Sequence, residues 1–213
     1  MSQLLVAENY NWQLKSVMAV LLVFTTIALT GYACNVQNTV NTINSILTEV
    51  GPAIQIIVSL LPLLSGKNIP PDVITAINKW TVESQADVNN LNSIIQQYQS
   101  SIASSPDVQA KINAAIQQTE QHVLDVLQII HVLDPATQQK ITSIVNAIGA
   151  SIIEVEGIIA HIEGKTQLKV GKVGGSPFLV KDGKDFKKKF NAVLHTPVND
   201  ATVDSATAKL SLK

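Results

Sequence analysis

Apolar residues recur in alternating steps of four and three through most of this chain, the spacing that lines one face of a helix. The clearest run is Ile141, Val145, Ile148, Ile152, Val155, Ile159 and Ile162, a heptad seam. A second comprises Ile112, Ile116, Thr119, Val123, Val126, Ile130 and Leu133. A third, with one stutter, is Ile77, Trp80, Ser84, Val88, Leu91, Ile95, Tyr98 and Ile102. The first, within residues 36–64, carries Val36, Val40, Ile43, Leu47, Val50 and Ile54, with a kink expected at Gly51-Pro52. Pro70-Pro71-Asp72, Ser105-Pro106-Asp107 and Asp134-Pro135 place a capping residue or proline where a helix should begin. Four such helices joined by short connections predict an all-α fold, an up-down-up-down four-helix bundle. Residues 54–64 are apolar on nearly every face, which suits a helix buried all round.

The strongest apolar run is not periodic. Ser16 to Ala33 follows Lys15 and ends at Cys34, the only cysteine in the chain. Its length and the small residues Gly31 and Ala33 are those of a cleavable export signal. About 18 apolar residues also suffice for an uncleaved membrane anchor, with Lys15 setting the orientation. Cysteine directly after such a segment resembles the lipobox of bacterial lipoproteins. Ala33 matches it, while Gly31 and Tyr32 stand where that family has leucine and a small residue. The resemblance covers residues 1–34 and implies Cys34 as the lipid attachment site, with the mature chain in the cell envelope (periplasm or outer surface) and membrane-associated. With one cysteine, no internal disulfide is available.

Composition agrees with helices. Hydrophobic residues make up 46% of the chain but aromatic ones only 4%, so Ile, Val, Leu and Ala must build the core. The net charge of −1 conceals an asymmetry. Residues 35–164 carry four lysines against eleven acids, a net of −7, whereas residues 165–213 carry ten lysines against four aspartates, a net of +6. The expected organisation is a signal peptide or anchor at 1–33, a helical bundle at 34–164 and a short basic C-terminal tail at 165–213. Within the tail, 166–173 and 178–180 flank Gly174-Gly175 as the arms of a β-hairpin. Phe186, Lys187, Lys188, Lys189 and Phe190 read as a basic helix with aromatic anchors, a membrane or partner contact suited to anionic lipid. Residues after His195, rich in Thr, Asp, Ala and Ser, read as flexible.

Candidate chemistry is sparse. The histidines are His122, His131, His161 and His195, and none forms the Glu-x-x-His ligand pair of di-iron bundles. Glu154 and Glu156 point in different directions on one helix and make no carboxylate dyad. No Cys-x-x-Cys-His, Gly-x-Ser-x-Gly, Walker or Rossmann pattern occurs. The expectation is a non-enzymatic envelope module with no cofactor and no metal, held to the membrane through a Cys34 lipid or through residues 16–33. A membrane-inserting helical protein and a subunit of an integral membrane complex are the alternatives. A haem or metal held by His122 or His131 with His161 ranks below both. The perfect heptad at 141–162 also suits a homo-oligomer or a helical protein partner. Nucleic acid is not expected, because the chain has no arginine for bidentate base readout.

Overall fold

The computed structural model describes residues 37–100, 106–162, 172–173 and 176–213. The segment 16–33, Cys34, Val36 and Ile102 lie outside the described residues, and Ile112, Ile116, Ile159, His161 and Ile162 outside the described side chains. The chain divides into two compact units, Met1–Asn38 and Thr39–Lys213. Of the first, only Gln37 and Asn38 are described.

The fold is all-α. Helix α1 spans Gln37–Leu63 and is continuous through Gly51-Pro52. Helix α2 (Pro71–Ser100), α3 (Pro106–Ile129) and α4 (Pro135–Ile162) each open on the proline that the sequence marks. Proline suits the first helical position, where its missing N–H would have had no partner. Asp134 caps α4 by accepting from the Thr137 N–H at 3.2 Å. A 3-10 turn at Ile130–Val132 closes the end of α3. The predicted seams point inward. Val40, Ile43, Leu47, Val50 and Ile54 of α1, Ile77, Trp80, Ser84, Val88, Leu91 and Ile95 of α2, and Ile141, Val145, Ile148, Ile152 and Val155 of α4 are all buried. In α3 Thr119 and Val126 are buried and Val123 is half-buried, and Ile130 and Leu133 of the turn that follows are buried too.

The part expected to be a tail is built into the second unit. Lys172–Val173 (β1) and Ser176–Pro177 (β2) pair antiparallel, Lys172 opposite Pro177 and Val173 opposite Ser176. Helix α5 (Gly183–His195) packs on α4, and α6 (Ala201–Ala208) packs on α5 and α4. The flexible end expected after His195 is therefore corrected. Asn199 adopts a left-handed backbone (φ 60), and Asp200 caps α6 through the N–H groups of Thr202 and Val203. Val203, Ala206 and Leu212 are buried.

Covering a second face of α4 explains why that helix is buried beyond its seam, at Thr137, Lys140, Ile144, Ala147, Ala150 and Ser151. The α5 contacts also fix its direction. Gly183 N donates to Ser45 Oγ at 3.0 Å, and Lys187 pairs with Glu49 at 3.1 Å, so α5 runs parallel to α1. The Lys140 ammonium meets the end of α5 at Leu194 O and Thr196 O, while Glu154, further along α4, feels the charge of Lys189, so α4 runs the opposite way.

Candidate functional site

Among the five tail residues expected to form a contact surface, two roles separate. Phe186 and Phe190 are fully buried. Their centroids lie 5.5 Å apart, and Phe178 meets Phe186 edge-on at 6.5 Å and 83°. This aromatic trio is buried within the unit, so the reading of Phe186 and Phe190 as membrane anchors is corrected: their apolar area is already covered by protein. Lys187 reaches Glu49 and the Lys213 carbonyl. Lys189 bonds to Asp185 at 2.7 Å and to the Leu179 carbonyl. Of the five, Lys188 alone is exposed, and it joins Lys181 and Lys184, also exposed, on the outer side of this region.

Local sequence positions that outer side. Asp182 caps α5 by accepting from Asp185 N at 2.8 Å, and Asp185 in turn accepts from Lys181 N at 3.0 Å. Burial pushes the Asp185 carboxyl up, but the Lys189 ammonium, the Lys181 N–H and the nearby lysine charges outweigh it and hold the group below the usual carboxylate range. At Gly183 an added Cβ would stand 2.2 Å from Ser45 O, so only glycine lets α5 start this close to α1.

Three polar assemblies join elements of the unit, two of them buried and the third nearer the surface, and sequence reasoning found none of them. Between α2 and α3, buried Asp87 accepts from His122 Nδ1–H at 2.8 Å and from Thr119 Oγ1 at 3.3 Å. Ser84, one turn before Asp87, has its hydroxyl buried without a partner, and the Asp87–His122 bond links α2 to α3.

Lys140, 1% exposed, is the second assembly. Its ammonium donates to Leu194 O at 3.0 Å and to Thr196 O, satisfying carbonyls at the α5 C-terminus where the helix dipole favours a cation. Burial pulls its pKa down, against the opposing charge of Asp204. The third is Lys67, after α1, which bridges Asp200 and, at 3.5 Å, Asp134. One lysine thereby joins the N-caps of α4 and α6. The Asp200 bond raises the Lys67 pKa, and the same bond lowers that of Asp200.

Of the other described histidines, His131 Nδ1 in the 3-10 turn bonds to Gln128 O near the end of α3, and His195 Nε2 to Leu210 O at 2.9 Å. No group of three metal-capable side chains occurs among the described residues. An open cleft of about 610 Å3 beside the α1–α2 turn is lined by Leu61, Pro62, Leu64, Lys67, Ile69 and Ile74, among others. A groove of about 350 Å3 between α2 and α3 is lined chiefly by amides, alanines and Lys111. Neither brings together an acid and a base. By length and composition α1 is long and apolar enough to cross a membrane, with mean hydropathy 1.7 and 44% of the tested window buried in the protein; a core helix meets the same criteria. Comparison with protein-family models, curated proteins and solved structures gives no match to this chain.

Proposed function

We propose that this protein is an exported, membrane-tethered, non-enzymatic module of the cell envelope, whose four long helices form an up-down-up-down bundle and whose residues 172–177 form the tip of a hairpin. The observation that carries the reading is the sequence from Lys15 to Cys34, an apolar segment of export length ending on a cysteine preceded by alanine. The helical unit beyond that cysteine suits an exterior life without disulfides. From Thr39 onward it is held by packed aliphatic seams, by the buried bonds of Lys140 and Asp87 and by the Lys67 bridge nearer the surface, none of which needs a bound group. Its role is structural or interactive, on its own, as a homo-oligomer or with a helical partner.

Fractionation of the native host with antibody detection tests this reading. Recovery in the membrane fraction, with the unit accessible to added protease once the outer barrier is opened, is the expected result. Recovery in the cytosol with residues 1–33 intact would overturn it.

A second reading, insertion of α1 into a bilayer, is favoured by that helix's length and hydropathy. It requires the buried residues Ile54, Ile57 and Leu60 to leave the core. Dye release from vesicles by the purified protein would support it, and intact vesicles across the pH range would remove it.

A further inference from the structure

The chain enters its compact unit at Thr39, and α5 begins against α1 a short way in, at Ser45. At about 1.5 Å per residue, Ser45 lies roughly 9 Å along the helix from Thr39, whereas Leu63 lies roughly 36 Å away. Because α5 runs parallel to α1, residues 179–184 sit at the entry end, and Thr196 with Lys140 sits towards the other. Whatever path residues 34–39 take, they reach at most about 18 Å. Chain length alone therefore keeps Cys34 within about 18 Å of Thr39, where the chain enters the unit at the end at which α5 begins.

On its side away from Phe186 and Phe190, α5 presents Lys184 and Lys188, one turn apart and exposed. Neither enters an ion pair among the described residues. Lys181 is exposed just ahead of the helix, and Leu179, 48% exposed, lies two residues earlier. The neighbouring acids are engaged: Asp182 caps the helix, Asp185 holds Lys189, and Glu49 holds Lys187.

We propose that Leu179, Lys181, Lys184 and Lys188 form a surface that rests on anionic phospholipid head groups beside the chain's own tether. The inference depends on the tether reading above and names the partner of that tethered unit. Since the apolar face of α5 is covered by the core, the helix does not insert; contact is at head-group level, with Leu179 the exposed apolar side chain of this stretch. Each lysine near an anionic surface strengthens association about fivefold, so three give about a hundredfold. That is weak for a diffusing protein but ample for a chain already held at the bilayer, where the local concentration is high. The surface therefore orients the unit rather than recruits it.

The test uses the full chain reconstituted into vesicles of phosphatidylcholine, alone or with phosphatidylglycerol, followed by a brief amine-acylation pulse and peptide mass spectrometry. Labelling of Lys181, Lys184 and Lys188 should fall at least about threefold in the anionic vesicles and recover at high salt. Lys79, exposed on α2, should not change. The K184E/K188E variant, altered only at exposed positions, should lose the protection at Lys181. Equal labelling in both vesicles, with the protein floating on both, would overturn this inference alone. Failure to float with the neutral vesicles would overturn the tether reading and this inference with it.

Discussion

Lys140 is the residue whose replacement most sharply tests how α5 is held. Its ammonium makes two bonds to carbonyls at the α5 end, one to the buried Leu194 O and one to the part-buried Thr196 O. Lys140→Met keeps the stem packed but strips both acceptors. One buried carbonyl left unmet costs about 1–3 kcal/mol, and the second rehydrates in part. Relief of the ammonium's own desolvation offsets some of this, so the net loss should be about 2 kcal/mol. Lys140→Ala also removes three methylenes at about 0.8 kcal/mol each, bringing its loss to about 4–5 kcal/mol. Urea denaturation followed by far-ultraviolet ellipticity measures both, and hydrogen exchange should show faster opening at residues 193–198 in the Met variant. The pH dependence has a definite sign. Burial lowers the folded-state pKa of Lys140 below 10.5, so the unfolded chain binds more protons in that window and parent stability rises with pH through it. The methionine variant should lack that rise. A Met variant as stable as the parent, with unchanged exchange at the end of α5, would refute the reasoning.

Gly183→Ala should destabilise by about 2–3 kcal/mol, although alanine usually favours a helix, because the new Cβ would meet Ser45 O at 2.2 Å; thermal melting checks the sign. His122→Ala leaves buried Asp87 with the 3.3 Å Thr119 bond and should cost about 2–3 kcal/mol. In a double-mutant cycle with Asp87→Ala, the combined loss should fall short of the sum of the singles by about 1–2 kcal/mol, and strict additivity would show that the pair is uncoupled. Glu154 is buried with Oε2 unpartnered, and burial raises its pKa above 4.5 against the opposing Lys189 charge. Its charged form therefore costs stability at neutral pH. Glu154→Gln should stabilise there, and the gain should shrink as pH falls through the folded pKa and vanish near 4.5.

The long helices were legible because a repeat of three and four leaves one continuous face to bury, and because proline marks the starts at Pro71, Pro106 and Pro135. The amphipathic pattern at Phe186 to Phe190 was equally visible. A pattern of that kind states that something apolar covers the face, and it cannot distinguish a bilayer from α4. Lys140 and the Asp87–His122 pair were hidden for another reason. Their partners lie 54 and 35 residues away on other helices, and only the interhelical register brings them together. The start of α6 did carry a signal, Asn199 at positive φ followed by the capping Asp200, which the polar composition around it obscured.

The central proposal is that the helical unit is exported and tethered at Cys34. Both can be read from the intact mass and N-terminal fragmentation of the protein isolated from host membranes. A chain that begins at a lipid-modified Cys34 is the expected product. A chain recovered in the cytosol with Met1 to Ala33 still attached would refute export and tether together.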